Sequence, residues 1–416
     1  MLAGKKIVLG VTGSIAAYKA AILASTLHQA GAQVDVIMTE SATKLVAPLT
    51  FQSLTGRPVH VDMFRLSDQP DITHVSLGVG ADLMIVAPAT ANTLAKMAMG
   101  MADNLLTTTV LAARCPVVVA PAMDADMYAH PATQENVSRL RQRGVVVVDP
   151  ESGHLASGLV GRGRLADVEE LLGRIRWVLG RDGDLAGVNL LVTAGGTQEP
   201  IDPVRVITNR SSGKMGYSIA EAALERGANV TLISAPTSIK PPTAAKLVPV
   251  TTAVEMCEEV LSKMRHADVL VMAAAVADFR VDQAASQKMK RVDKVMPLAL
   301  VPNPDILMET LRPLEGGHGL LRVGFAVESE KLLDGAKEKL VRKRLDLLVA
   351  NRVDAAGGVF GSDNNEVVML DRAGRQIDVP VAPKLQIAHR ILDQVALLLK
   401  ERGRVQGENE TDIYRS

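Results

Sequence analysis

The same order of elements is spelled out twice along the chain. A short β-branched run is followed by a glycine-containing turn, a longer amphipathic stretch that closes in Gly-Ala, and a second β-branched run. The first copy is Lys6–Val11, Ile15–Gln29, Gly31 with Ala32, and Gln33–Met38; the second restarts at Asn189–Val192 and passes through Gly227 and Ala228. Strands that are apolar at consecutive positions need cover on both faces, and neighbouring parallel strands are joined only through a crossover, usually a helix. Further short runs at Asp82–Ala87, Pro116–Ala120 and Val145–Val148, and later at Val269–Ala274, Leu321–Ala326 and Leu347–Ala350, continue the rhythm. The pattern predicts an α/β chain of two tandem doubly wound, Rossmann-like domains with mainly parallel sheets. A hairpin over Glu366–Val379 and a helix from Lys384 are expected to close the second. The charged, Gly-rich stretch 181–187 marks the boundary, giving domains over 1–182 and 187–402, with 403–416 predicted to be a disordered tail.

Charge narrows the choice of partner. Lys plus Arg number 46 and Asp plus Glu number 46, so no global field draws in nucleic acid or an anionic membrane, and any anion site must be local. Small molecules and further copies of the chain are the expected partners. Cys115 and Cys257 are the two cysteines, which argues against a disulfide framework or a thiolate metal site and fits a reducing compartment. Met1 leads directly into a strand without a leader pattern, and no apolar run is long enough to span a bilayer. A soluble, cytoplasmic protein is expected.

Two turns have the composition of anion cradles. Gly13 opens the string GSIAAYKA between a strand and a helix, where free N–H groups and the helix dipole favour a phosphate. The three-glycine dinucleotide spacing is missing, so a mononucleotide is favoured over a nicotinamide dinucleotide. A plain strand-to-helix turn accounts for this string equally well. NRSSGKMG, Asn209 to Gly216, is the better cradle; Met215 stands where a P-loop needs Ser or Thr for magnesium, so it is not a P-loop.

Longer strings carry a resemblance. PATANTLAKMAMGMADNLLTTT from Pro88, PAMDADMY from Pro121, ITHVSL around His74 and LASGLVGRGRL from Leu155 resemble, in order and spacing, the flavin-containing cysteine decarboxylases that make phosphopantetheine. The resemblance implies that Gly13, Ser14, Ile15, Ser41, Thr90, Asn92 and Thr93 line an FMN site. It also implies oxidation of the substrate thiol to a thioaldehyde before carbon dioxide leaves, so that the carbanion becomes an enethiolate, with His74 as base or polar anchor. The sequence departs from the family pattern at Asp124, where Asn is common, and at Ser157, where a proton-donating Cys is common. An ionised Asp124 cannot donate to a substrate carboxylate; it must be protonated, with a raised pKa, or the substrate must be oriented differently. Ser157 is a weak acid that can relay a proton or hold a flap, and the glycines from Gly158 to Gly163 suit a mobile lid.

The second half is similar to bacterial phosphopantothenate-cysteine ligases. The matching strings are VTAGGTQEPIDPVRVITNRSSGKMG from Val192, AAAVADFR from Ala273, KMKR from Lys288, NPDIL from Asn303, VGFAVES from Val323, DLLVANRV from Asp346 and FGSDNN from Phe360. The family activates a carboxylate with CTP, releasing pyrophosphate, and passes the acyl group to the cysteine amine. By resemblance Asn209 holds the acyl intermediate, Lys288 neutralises developing charge, and Ser212, Gly213, Ala273, Ala274, Asp278, Pro304, Asp305, Ile306, Leu307, Phe325, Lys339 and Lys343 form the nucleotide site. Lys339 and Lys343 are four apart on a helix predicted over Ser329–Arg344, so they share a face. The loop holding Lys288 also holds Lys290 and Arg291, so the acting lysine is Lys288 or Lys290. Magnesium is expected with the triphosphate.

The resemblance further implies a homo-oligomer, trimer-based through the flavin domain and dimeric through the ligase domain. The main expectation is a bifunctional enzyme in which the second half supplies the first. Asp124 and Ser157 motivate an alternative, a ligase whose flavin domain serves assembly or regulation. A nicotinamide-dependent dehydrogenase is disfavoured by the absent glycines.

Overall fold

The computed structural model describes residues 1–64, 73–290, 295–311, 319–328, 332–352 and 362–403. Phe360, Arg291, the first residues of the helix predicted from Ser329, and the tail from 404 lie outside them. The chain divides into two compact units, Met1–Leu179 and Gly180–Ser416.

In the first unit, strands β1 (Lys6–Val11), β2 (Gln33–Met38), β3 (Val59–His60), β4 (Leu83–Ala89), β5 (Val117–Pro121) and β6 (Val146–Val147) form one parallel sheet in the order β3-β2-β1-β4-β5-β6. Alternation along each strand loads both faces. Ile7, Leu9, Val11, Leu83 and Ile85 join one core with the helices Ala17–Gln29, Pro48–Thr55 and Val168–Gly180. Val8, Ile37, Met84, Val86 and Val119 join the other, with the helices Ala91–Met99, Leu105–Ala112 and Pro131–Gln142. Each buried Leu, Ile or Val side chain contributes about 1.5–3 kcal/mol, so two loaded faces explain why the β-branched runs are nearly continuous. A hairpin of β7 (Glu151–His154) and β8 (Val160–Arg164), absent from the sequence expectation, precedes the last helix.

The second unit has an eight-stranded sheet in the order β13-β12-β9-β14-β17-β18-β19-β20. Its strands are β9 (Asn189–Ala194), β12 (Asn229–Ser234), β13 (Lys246–Pro249), β14 (Val269–Met272), β17 (Leu321–Glu328), β18 (Leu347–Arg352), β19 (Asn364–Asp371) and β20 (Gln376–Pro383). The parallel part repeats the first unit's order about its first strand, and β19 and β20 are the antiparallel hairpin the sequence predicts near Glu366–Val379. Two small hairpins stand apart from this sheet: β10 (Gln198–Pro200) with β11 (Val206–Thr208), and β15 (Phe279–Val281) with β16 (Leu300–Pro302). They fell below sequence detection because three-residue strands show too little alternation.

In both sheets the order reverses beside the first strand, between β1 and β4 and between β9 and β14. Crossovers leave in opposite directions there and open a crevice at the carboxyl ends of the strands.

Candidate active sites

The first crevice is built by the turns after β1, β2 and β4. Thr12, buried at the end of β1, donates to the Pro88 carbonyl at 2.7 Å and accepts the Thr90 N–H at 3.0 Å, which fastens the two turns together. A Cβ on Gly13 would lie 2.5 Å from the Ser41 Cβ, so only glycine allows the β1 and β2 turns to meet. Ser14 is half-buried, while Ile15 and Ser41 are exposed. Thr90 caps the helix Ala91–Met99 by accepting the Thr93 N–H at 3.3 Å, and the two hydroxyls lie 3.1 Å apart. Asn92 is exposed at the first turn of that helix. Gly13, Ser14, Ile15, Ser41, Thr90, Asn92 and Thr93 therefore line one sheet edge. The helix after Gly13 begins at Ala17; the Ala16 N–H is held by the Ser14 hydroxyl at 3.4 Å, and the Ala17 and Lys19 N–H groups by the Ser14 and Ala16 carbonyls, each at 2.9 Å.

His74 is half-buried in the first turn of the helix Thr73–Gly80, which feeds β4, so the imidazole belongs to the same carboxyl-edge side. Across the sheet, Asp124 follows β5 and caps the helix Ala125–Ala129. Ser157, in the β7–β8 connection, donates its hydroxyl to Asp124 Oδ2 at 2.6 Å, and the Asp126 N–H donates to Oδ1 at 3.2 Å. The Ser157 hydroxyl foremost, and then the Asp126 N–H, hold the Asp124 carboxyl below the usual range.

The glycines of the hairpin do more than loosen it. A Cβ on Gly163 would sit 2.2 Å from the Met123 carbonyl oxygen, and one on Gly161 would sit 2.6 Å from the Ala125 Cβ. Met123 N–H donates to the Gly163 carbonyl at 3.0 Å. The glycines seat the hairpin against the Asp124 segment, and only Gly158, at φ +84°, serves the turn itself. Arg162 lies over the Tyr128 ring, 5.6 Å from its centre, while the Tyr128 hydroxyl donates to Asp149 at 2.8 Å. Sequence reasoning missed Thr12 and this Tyr128, Asp149 and Arg162 anchor; nothing in the local pattern distinguishes them.

In the second unit, the turn after β9 and the Asn209–Gly216 string approach each other. Gly195 and Gly213 both have positive φ, and a Cβ on Gly213 would lie 3.3 Å from the Gly195 backbone. Gly213 is also the N-cap of the helix Lys214–Leu224, without a side-chain cap bond. Lys214, at the first helical position, pairs with Asp363 at 2.6 Å. The half-buried Ser212 accepts the Lys214 N–H at 3.5 Å. Asn209 is exposed and its amide donates to the Val276 carbonyl at 3.0 Å. Ala273 and Ala274 continue β14, and the Ala274 N–H is held by the Thr193 hydroxyl at 3.2 Å. Asp278 is exposed beyond them.

Ile306 and Leu307 are core residues, so only their backbone is available to a ligand. Pro304 is half-buried before them, and Phe325 is half-buried on β17. The helix expected over Ser329–Arg344 is described as Leu332–Arg342, ending before Lys343. The Lys343 N–H still bonds the Lys339 carbonyl at 3.0 Å, but its ammonium pairs with Asp305 Oδ2 at 2.9 Å. Lys343 is thus tied to the cap of the helix Ile306–Glu309. Lys288 and Lys290 are exposed on an irregular segment.

The two units match two separate family models, Flavoprotein over residues 1–179 and the DNA/pantothenate metabolism flavoprotein C-terminal domain over 185–398. A bifunctional coenzyme A biosynthesis protein, CoaBC, of Bacillus subtilis (strain 168) is 45% identical over 406 residues, covering 97% of this chain and 99% of the relative. The chain belongs to this bifunctional family. The CoaBC protein of Mycobacterium bovis is 45% identical over 410 residues, covering 95% of this chain and 97% of its own. Among solved structures, the C-terminal domain of a CoaBC protein is 35% identical, covering 53% of this chain and 99% of that one, with a TM-score of 0.45. Family membership spans both crevices.

Proposed function

We propose that the second unit joins 4'-phosphopantothenate to cysteine with CTP, and that the first unit decarboxylates the product to 4'-phosphopantetheine. The observation that carries this reading is the near-full-length likeness to bifunctional relatives, which leaves neither unit without a counterpart. The order of reaction runs opposite to the order of units. A ligase acting alone, the alternative that Asp124 and Ser157 motivate, would leave the flavoprotein half without an activity.

In the first unit the residues fit a flavin mononucleotide. Glycine at 13 keeps clear the meeting point of two turns, and Ser14, Ile15, Ser41, Thr90, Asn92 and Thr93 surround it. FMN would supply a reversible hydride acceptor. His74 would hold or remove a proton at the reacting group. Asp124, ionised, commits the Ser157 hydroxyl to itself, so Ser157 serves as a proton relay only when that bond is exchanged.

In the second unit the uncapped start of the helix Lys214–Leu224, with Ser212 and Gly213, would receive phosphate oxygens. Asn209, anchored on Val276, would orient the acyl group. Lys288 or Lys290 would offset charge as the acyl-cytidylate forms and reacts, with Ala273, Ala274, Asp278, Pro304, Asp305, Ile306, Leu307, Phe325, Lys339 and Lys343 around the nucleotide. Magnesium would arrive with the triphosphate; among the described residues no group of three or more His, Cys, Asp or Glu is placed to hold a metal.

We further infer a cytoplasmic homo-oligomer. Among the described residues no helix is long and apolar enough to cross a membrane. Exposed Ile15, Tyr18 and Ile22 in the first unit, and Val204, Phe279 and Leu300 in the second, give each unit an apolar surface to cover. A monomer mass in solution would overturn the assembly.

The decisive assay supplies purified protein with phosphopantothenate, cysteine and CTP. Pyrophosphate and carbon dioxide released in equal amounts, from a preparation with a flavin absorbance band, are expected. Pyrophosphate without carbon dioxide would reduce the reading to the ligase alone.

A further inference from the structure

The connection between β10 and β11 turns on one carboxylate. Asp202 is 2% exposed. Its Oδ1 accepts the N–H groups of Val204 and Arg205, each at 2.8 Å. Its Oδ2 takes Arg205 Nη1 at 3.2 Å and, from 87 residues away, the Met289 N–H at 3.2 Å. Arg205 Nη1 also donates to the Met289 carbonyl at 3.4 Å, and the Ala285 N–H donates to the Ile201 carbonyl at 2.9 Å. Both backbone polar groups of Met289 are thus held by the Asp202 and Arg205 pair. The residues on either side of Met289 are Lys288 and Lys290. The same turn leads through β11 to Asn209, itself anchored on Val276.

The two oxygens have different work. The local turn needs only Oδ1, an arrangement that an Asn side chain makes equally well. Oδ2 is used across the chain together with the Arg205 guanidinium that also reaches Met289, and there an amide would present a donor to the Met289 N–H and to Arg205 Nη1. The chemistry therefore asks for a carboxylate because of the lysine segment, and the turn alone does not.

We infer that Asp202 is a positioning residue of the ligase unit: it fixes the backbone of Met289 and so sets where the Lys288 and Lys290 ammonium groups stand relative to Asn209. This rests on the proposed reading of the ligase site, in which one of those lysines acts on the acyl-cytidylate. Both oxygens of Asp202 are committed to protein donors.

The test is Asp202→Asn, which keeps the turn and removes the link to Met289. In the full-length protein with CTP, phosphopantothenate and cysteine, kcat for pyrophosphate release coupled to amide formation should fall at least about tenfold, the scale of a misplaced catalytic group. KM for CTP should stay within roughly threefold. Hydrogen exchange at the Met289 amide should speed up by about tenfold, while the Val204 and Arg205 amides keep their protection. Lys288→Gln and Lys290→Gln are measured alongside. Combining Asp202→Asn with whichever lysine change slows the enzyme should cost little beyond the lysine change alone, since both act through one group. An unchanged kcat for Asp202→Asn, or effects that multiply, would overturn the inference while leaving the lysine reading intact. If neither lysine change slows the reaction, that reading fails and the inference falls with it.

Discussion

Asp124, after β5 in the first unit, and Asp202, in the β10–β11 connection of the second, are the same residue type, and their surroundings give them opposite characters. Asp124 is partly open to solvent, caps a five-residue helix, and receives one side-chain donor from the exposed Ser157. Asp202 is buried and receives three backbone N–H groups and one guanidinium nitrogen. Both carboxyls are held below the usual range, Asp124 mainly by the Ser157 hydroxyl and Asp202 mainly by the Val204 N–H, which outweighs the upward push of burial. A carboxylate bonded mostly by backbone is a fixed post. Asp124 has one local backbone N–H and one hydroxyl from the β7–β8 connection, and the hydroxyl bond is the latch.

The comparison can be broken at three points. The largest effect is expected at Asp202, where replacement by Ala should lower ligation more than Asp202→Asn does, because the turn is lost as well as the lysine link. Decarboxylation of supplied phosphopantothenoylcysteine should be unchanged, and a parallel loss of both activities would show general unfolding instead.

Gly163→Ala comes next. The new Cβ would face the Met123 carbonyl at 2.2 Å, and backbone has no rotamer with which to move aside. Overpacking of this kind costs about 1–3 kcal/mol, so the hairpin should undock from the Asp124 segment. Faster proteolysis within 151–164 at unchanged ligase activity is the expected signature; an unaltered digestion pattern would mean that the hairpin is not held there.

The smallest effect should come from Ser157→Ala. A carboxyl whose folded-state pKa is depressed adds stability above its ordinary pKa and loses that stability as pH falls through the folded value. Ser157 is the main cause of the depression, so its removal should move the Asp124 titration up toward the ordinary carboxylate range. Carboxyl NMR at acid pH reads this directly, and a titration left in place would deny the latch.

Much of the fold was legible because burial on both faces demands nearly continuous apolar strands, and such runs stand out. β1 and β2 have the bounds expected at Lys6–Val11 and Gln33–Met38, and the last helix begins at Lys384. Other strands shifted by a residue or two, as with Val117–Pro121 against an expected Pro116–Ala120, because strand ends depend on neighbours. The helix holding Lys339 ended sooner than expected, at Arg342. The small hairpins were not legible, since their strands are short and, between β7 and β8, the glycines read as flexibility. At the sites, residue types were readable and their company was not. Asp124 and Ser157, two separate departures in the sequence, are one hydrogen-bonded pair in the molecule.

The order of apolar runs, turns and chemical strings was determined by the sequence itself, since periodicity and residue type are local properties of a chain. Which side chains meet was decided only by the tertiary structure. The bond from Met289 to Asp202 joins segments 87 residues apart, and the Ser157 hydroxyl reaches a carboxylate 33 residues earlier. Such encounters depend on where sheets reverse and hairpins dock, and no local pattern records that distance.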